Sequence, residues 1–165
     1  MEIFKWIDRK EGKILVAWSI NKYTPLIKFF YHPKQRIRAF DFYCGFRNKS
    51  YLIDEIKRYV TNINISTETG SEGHKGYVTD LFNPENYDVV LCCGPEVMMN
   101  KVIKMCNDKK VTLYVSMEKH MACGIGACLV CTCKTIIGNK RTCKDGPVFL
   151  GSEVIIDAWG KYMWN

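Results

Sequence analysis

The 165-residue sequence predicts an α/β fold: a doubly wound, mostly parallel sheet followed by a small cysteine-rich module. Three observations carry this. Short apolar runs alternate with helical-period segments over about residues 12–116, joined by loops short enough to argue for parallel βαβ units. From Met117 the alternation stops and the chain becomes loop-rich. Four cysteines then fall within twelve residues, "CGIGACLVCTCK", 123–134.

Taken in order, "ILVAW" (14–18) reads as the first strand. Thr24 and Pro25 read as the N-cap and first position of a helix running to Tyr31. The aromatic run "RAFDFYCGF" (38–46) is a strand, and "SYLIDEIKRYV" (50–60) has helical spacing, with Ser50 as its cap. "NINIST" (62–67) is a short strand, followed by the polar loop "TGSEGHKG". "YDVVLCCG" (87–94) reads as a buried strand, and "PEVMMNKVIKMC" (95–106) as a helix. That helix is expected to bury Val97, Met98, Val102, Ile103, Met105 and Cys106. "VTLYVS" (111–116) is a further strand, and short strands are expected at Thr132–Ile136 and Val154–Ile156. The division that follows is a dinucleotide-binding-like domain over 1–116 and a metal-binding module with tail over 117–165. Ligands of such sheets sit beyond the carboxyl ends of the strands, where "CCGPE" and "TETGSEG" lie.

Composition narrows the function. No apolar run approaches the roughly 20 residues of a membrane span, and the charged N-terminus, "MEIFKWIDRKEGK", is not a signal peptide. Nine cysteines without an export signal point to a reducing, cytoplasmic setting, where clustered thiols bind metal or do redox chemistry. The net charge of +7 comes from residues 1–60, which carry 13 Lys/Arg against 6 Asp/Glu. That excess is a solvated face or a docking surface for an acidic partner or anionic ligand. No nucleic-acid motif accompanies it, so neither nucleic acid nor membrane is an expected partner.

Cys123, Cys128 and Cys131 are spaced C-x4-C-x2-C, with Cys143 following after eleven intervening residues. This is the plant-type spacing for a 2Fe–2S cluster, three thiolates from a tight loop and one from a distant segment. Gly124 and Gly126 let backbone amides turn toward cluster sulfurs, and Ala122, Ile125, Ala127 and Leu129 let the loop wrap closely. A four-thiolate zinc site and free redox thiols are the competing readings, though zinc ribbons usually bring two C-x2-C knuckles. Cys133 competes with Cys143 as fourth ligand, while Cys44, Cys92 and Cys106 read as small buried hydrophobes.

With these residues assembled, "VSMEKHMACGIGACLVCTCKT" and "KRTCKDGPVF" closely resemble the C-terminal iron–sulfur module of a known family. That family is the electron-transfer subunit of bacterial NAD-dependent dihydroorotate dehydrogenase. "GFRNK", "STETGSEGHKGYVTDLF" and "CCGPEVMMNKV" resemble its nicotinamide-binding, ferredoxin-reductase-like domain. The resemblance implies an electron conduit: NADH reduces FAD, and single electrons pass through a 2Fe–2S cluster to FMN in the catalytic subunit. It implies Cys123, Cys128, Cys131 and Cys143 as cluster ligands. It also implies Cys93, Gly94 and Pro95 near the nicotinamide, and Gly70, Ser71 and Gly76 in a loop beside the dinucleotide. No catalytic residue is assigned.

Two departures shape the expectation. The family's FAD-binding barrel has no counterpart in "MEIFKWIDRKE", so FAD is not expected to bind this chain alone. The family's glycine-rich turn is replaced by "AWSINKYTPL", so Trp18, Asn21, Lys22 and Tyr23 stand where glycines hold the pyrophosphate. The expectation is therefore a 2Fe–2S electron-transfer protein, with NAD(H) held weakly or not at all, working with a flavoprotein such as the FMN-containing catalytic subunit. Two alternatives are a regulatory partner with a structural or sensing cluster, and an NADH-oxidising subunit taking FAD from a separate chain. His32, His74 and His120 carry no catalytic pattern, and Trp159, Tyr162 and Trp164 in the tail suit partner binding or self-packing equally.

Overall fold

The structure, a computed structural model, describes residues 14–19, 40–58 and 60–155; for 14–19 and 40 it describes the backbone alone. A seven-stranded sheet organises the chain. Its strands are β1 (Ile14–Ser19), β2 (Phe40–Phe46), β3 (Asn62–Thr67), β4 (His74–Lys75), β5 (Val89–Cys93), β6 (Thr112–Ser116) and β9 (Val148–Leu150). Their spatial order is β4-β3-β2-β1-β5-β6-β9, every pairing parallel except β6 with β9. The chain runs outward from β1 in one direction and resumes on its other side at β5. The β1/β5 junction is thus the switch point of a doubly wound sheet.

All five residues of β5 are buried, which explains an unbroken apolar run where a half-exposed strand would alternate. One face is covered by α2 (Glu96–Asp108), whose Met99, Val102, Ile103 and Cys106 pack with Val90, Cys92, Leu113 and Val115. The helix is rotated from the expected phase: Val97 is 82% exposed and Met99 is buried, while Met98 and Met105 only flank the core. The i, i+3, i+4, i+7 stripe starting at Met99 is complete, and one starting at Val97 is not.

The expected helix over 50–60 shrinks to one turn, α1 (Ile53–Ile56). Ser50 does not cap it. Its amide donates to Glu72 Oε2 at 2.9 Å, and Leu52 turns into the left-handed region at φ 61°. The expected helix from Thr24 lies outside the described residues. Between β4 and β5 an excursion with two 3-10 turns, Val78–Asp80 and Pro84–Asn86, is pinned to β2 by aromatics. Tyr43 sits 5.4 Å from Phe82, its hydroxyl meets that of Tyr87 at 2.8 Å, and Tyr87 donates to Asp41 at 2.8 Å.

Beyond β6 the chain forms a hairpin of β7 (Thr132–Thr135) and β8 (Gly138–Arg141), then a helical turn, α3 (Thr142–Asp145), before β9. The strand expected at Val154–Ile156 reduces to a single bridge between Thr135 and Val154, with Ile156 outside the described residues. No helix of the described residues is long and apolar enough to cross a membrane.

Candidate functional site

The cysteine loop connects β6 to β7, and Glu118 and Lys119 at its start touch the carboxyl end of β5 and the start of α2. Cys93 Sγ lies 3.9 Å from Glu118 Oε1, and Lys119 Nζ lies 3.4 Å from Glu96 Oε1. Within the loop Gly124 and Gly126 have φ of 70° and 80°, as the inward-turning backbone requires, and Leu129 is also left-handed at 62°. The amides so turned meet sulfur. The Cys128 N–H donates to Cys123 Sγ at 3.5 Å, and the Cys143 N–H donates to Cys131 Sγ at 3.5 Å.

The four thiols therefore come as two pairs, Cys123 with Cys128 and Cys131 with Cys143, linked electrostatically through Cys143 and Cys123. Among the described residues no three Cys, His, Asp or Glu side chains converge on one point. Four cysteine thiolates hold a two-iron cluster, two on each iron. The environment favours thiolate, the ligating form, at Cys123 and Cys131, while the neighbouring Cys131 side chain raises Cys143. Amides of Cys128 and Ile125 bring the Cys123 thiol down to about 6, and the Cys143 amide lowers Cys131. The donor chemistry fits an iron–sulfur cluster.

Around the pairs, burial is graded: Cys131 is buried, Cys123 and Cys143 are half-buried, and Cys128 is exposed. Thr142, fully buried, holds Cys131 by two bonds to its carbonyl, from N–H and from Oγ1, each 3.0 Å. Cys133 points into the hydrophobic core, where burial raises its thiol. Cys44, Cys92 and Cys106 are also buried, and none of the nine cysteines forms a disulfide.

The second feature is a cleft of about 550 Å³ beyond the carboxyl ends of β2 and β3 and the start of α2. Phe46, Arg47, Ser66 and Glu68 line it from the sheet, Gly76–Thr79 from the loop, and Pro95, Val97 and Lys101 from the helix. Ser66 Oγ and Thr79 Oγ1 are buried without hydrogen-bond partners. Of the residues expected near a dinucleotide, Gly76 and Pro95 line the cleft. Gly70 and Ser71 instead shape its loop: Gly70 has φ 76°, and Ser71 Oγ donates to the Asn48 carbonyl. Cys93 lies beneath, 1% exposed, its thiol pushed up to about 12 by burial and then by Glu118. Gly94 has φ 155°, at the exit from β5.

Sequence reading passed over Glu72, Gly73 and Arg141. Glu72 ties the loop to Ser50 and Thr67, and a Cβ on Gly73 would lie 2.1 Å from the Ile65 carbonyl oxygen. Arg141 bonds the cysteine loop. Their signal was thin: a second glycine in "TGSEG", and charged residues beside Cys143. His74 and His120 are exposed. His32, the part of the basic stretch Lys22–Lys49 that precedes residue 40, residues Asn21 to Tyr23 and the aromatic tail lie outside the described residues, as does the side chain of Trp18.

Sheet, cleft and thiol loop together define a class: a ferredoxin-reductase-like α/β domain joined to an iron–sulfur module. Residues 118–155 match the iron–sulfur cluster binding domain of dihydroorotate dehydrogenase B. The chain is 65% identical over 151 residues to the electron transfer subunit of dihydroorotate dehydrogenase B (NAD(+)) from Clostridium acetobutylicum, covering 92% of this chain and 61% of that one. It is 66% identical over 114 residues to the Clostridium perfringens subunit, covering 69% and 46%. Against the probable subunit from Thermococcus kodakarensis it is 36% identical over 153 residues, covering 91% and 63%. A solved structure described as an NADH-dependent reduced ferredoxin-NADP oxidoreductase, in work on flavin-based electron bifurcation, superposes with a TM-score of 0.70. That superposition has 28% identity and covers 88% of this chain and 54% of the other.

The chain resembles the dihydroorotate dehydrogenase B electron transfer subunits over most of its own length, and its matching binding domain makes an iron–sulfur cluster its cofactor. It spans 46–63% of the length of the three relatives named.

Proposed function

We propose that this chain is a cytoplasmic electron-transfer component that holds one 2Fe–2S cluster on Cys123, Cys128, Cys131 and Cys143. It passes single electrons between a flavoprotein and an acceptor, and the catalytic, flavin-containing subunit of a dihydroorotate dehydrogenase is the partner its relatives suggest. The observation that carries the reading is the pairing of the four thiols on amide-donating loops. Bound there, the cluster supplies a one-electron couple. The chain's own residues hold the sulfurs, donate amides to them and shield the Cys131 side from water.

The rim of the loop supports the partner half of the reading. Ile125, Leu129 and Val130 are 75%, 62% and 55% exposed, and apolar side chains grouped at a redox centre suit a protein that docks there. The sheet and cleft serve as scaffold, with residues 1–116 and 117–165 as the two functional parts. NAD(H) binds weakly because the sequence following β1 carries Asn21, Lys22 and Tyr23 in place of glycines, while Trp18, expected in that turn, instead lies within β1 opposite Cys44 and Cys93.

Anaerobically purified protein, scanned by absorption and EPR before and after dithionite, tests the cluster. One 2Fe–2S signal per chain is expected, abolished or strongly shifted by Cys143→Ser and nearly intact in Cys133→Ser. Stoichiometric zinc without a cluster spectrum overturns it.

A further inference from the structure

Arg141 closes β8 and stands opposite Thr132 in the hairpin, beside Cys131 and two residues before Cys143. Its side chain turns toward the cysteine loop. Nη1 donates to the Gly126 carbonyl at 3.1 Å, and Nε donates to Asp145 Oδ2 at 3.2 Å. The same carboxylate oxygen accepts the Arg141 backbone N–H at 2.8 Å, so Asp145 braces both ends of the residue. Gly126 is buried in the angle: a Cβ there would lie 3.0 Å from Lys144 and 3.4 Å from the Arg141 Cδ. The guanidinium thus joins the segment carrying Cys123 and Cys128 to the segment carrying Cys143.

We propose that Arg141, braced by Asp145, is a positioning residue for the cluster: it clamps the loop through the Gly126 carbonyl and sets the local charge that biases the redox potential. The inference rests on the cluster assignment above. A planar guanidinium with several fixed donors can engage a carbonyl and a carboxylate at once, which the single ammonium of lysine does with less geometric control. The Arg141 and Asp145 side chains are only 32% and 29% exposed, so solvent screens the pair less than it screens a surface pair.

Charge gives the proposal a signature that a merely structural role lacks. Reduction adds negative charge to the cluster, so a nearby cation favours the reduced state and a nearby anion disfavours it. Removing Arg141 leaves Asp145 uncompensated and moves the potential down. Removing the Asp145 charge leaves Arg141 uncompensated and moves it up.

The experiment uses the full chain, purified anaerobically, as wild type, Arg141→Ala, Arg141→Lys and Asp145→Asn. Arg141→Ala is expected to lose its cluster to a chelator about tenfold faster, on the scale of lost supporting contacts around metal sites. Arg141→Lys keeps the wild-type direction of charge and restores the potential more fully than the resistance to chelator. EPR-monitored redox titration is expected to show Arg141→Ala below wild type and Asp145→Asn above it. Should Arg141→Ala fail to retain iron, Asp145→Asn and Arg141→Lys still read the sign and the clamp. Unchanged chelator resistance and potential in these variants, or shifts of one sign in Arg141→Ala and Asp145→Asn, overturn the proposal. A wild type with no 2Fe–2S signal overturns the cluster assignment instead.

Discussion

Five thiols outside the proposed ligand set share one physical condition. Cys44, Cys92, Cys93, Cys106 and Cys133 are buried, and desolvation raises each, with Cys44, Cys93 and Cys106 reaching about 12. A thiol whose folded value lies above the ordinary 9.0 holds its proton more tightly in the folded state than in the unfolded one. Its stabilisation is complete below pH 9 and is lost as pH rises toward 12. Unfolding measured across that window should show stability falling with pH. Replacing Cys44 and Cys106 together by Ala should flatten that fall, at some cost in packing below pH 9. A pH-independent midpoint between 9 and 12 contradicts it. Residue chemistry was largely legible in sequence, since C-x4-C-x2-C with Cys143 marks metal binding and isolated cysteines in strands mark core. Arg141 was not, because its partner is a backbone carbonyl fifteen residues away, which no spacing encodes.

Elements were legible in type and less so in phase. The helix over Glu96–Asp108 was expected, but Val97 and Met99 compete for its buried stripe, and only packing against β5 and β6 decides between them. Met99→Ala should cost about 2–5 kcal/mol and Val97→Ala less than about 0.5 kcal/mol, read from denaturant midpoints. Equal costs would mean the helix sits in the other phase. At α1 the backbone overrode helical spacing, since Leu52 takes a left-handed φ of 61° that a helix starting at Ser50 cannot contain. The loop following β3 depends on Gly73, where φ is 66° and a Cβ would strike the Ile65 carbonyl. Gly73→Ala should therefore cost at least about 1–2 kcal/mol, the ordinary penalty of the left-handed region alone, and disturb the cleft wall. The hairpin strand β8, "GNKR", escaped sequence reading because three polar side chains leave no apolar alternation to detect.

At the scale of the whole molecule, the parallel sheet and its switch point followed from the alternation of strand and helix, but the joining of the two parts did not. Strand β9 returns from the cysteine module to lie antiparallel on β6, a three-residue pairing after "GP" that carries almost no pattern. Cleft and thiol loop both lie beyond the carboxyl ends of the parallel strands, and Glu118 at the start of the loop reaches Cys93 at the end of β5. Whether the cleft still carries a dinucleotide depends on pyrophosphate. A glycine turn at a helix start offers several backbone N–H groups to that anion, and in this sequence Asn21, Lys22 and Tyr23 follow β1 instead of glycines. Loss of a few charge-assisted hydrogen bonds amounts to about 3–4 kcal/mol, which weakens affinity by about two to three orders of magnitude. NADH is accordingly expected to bind the isolated chain no tighter than about millimolar, a threshold near 4.1 kcal/mol of binding free energy. Isothermal titration checks it. Micromolar binding would mean that "AWSINKYTPL" builds a working pyrophosphate site, and the chain would then be the NADH-oxidising subunit, drawing its flavin from a separate protein.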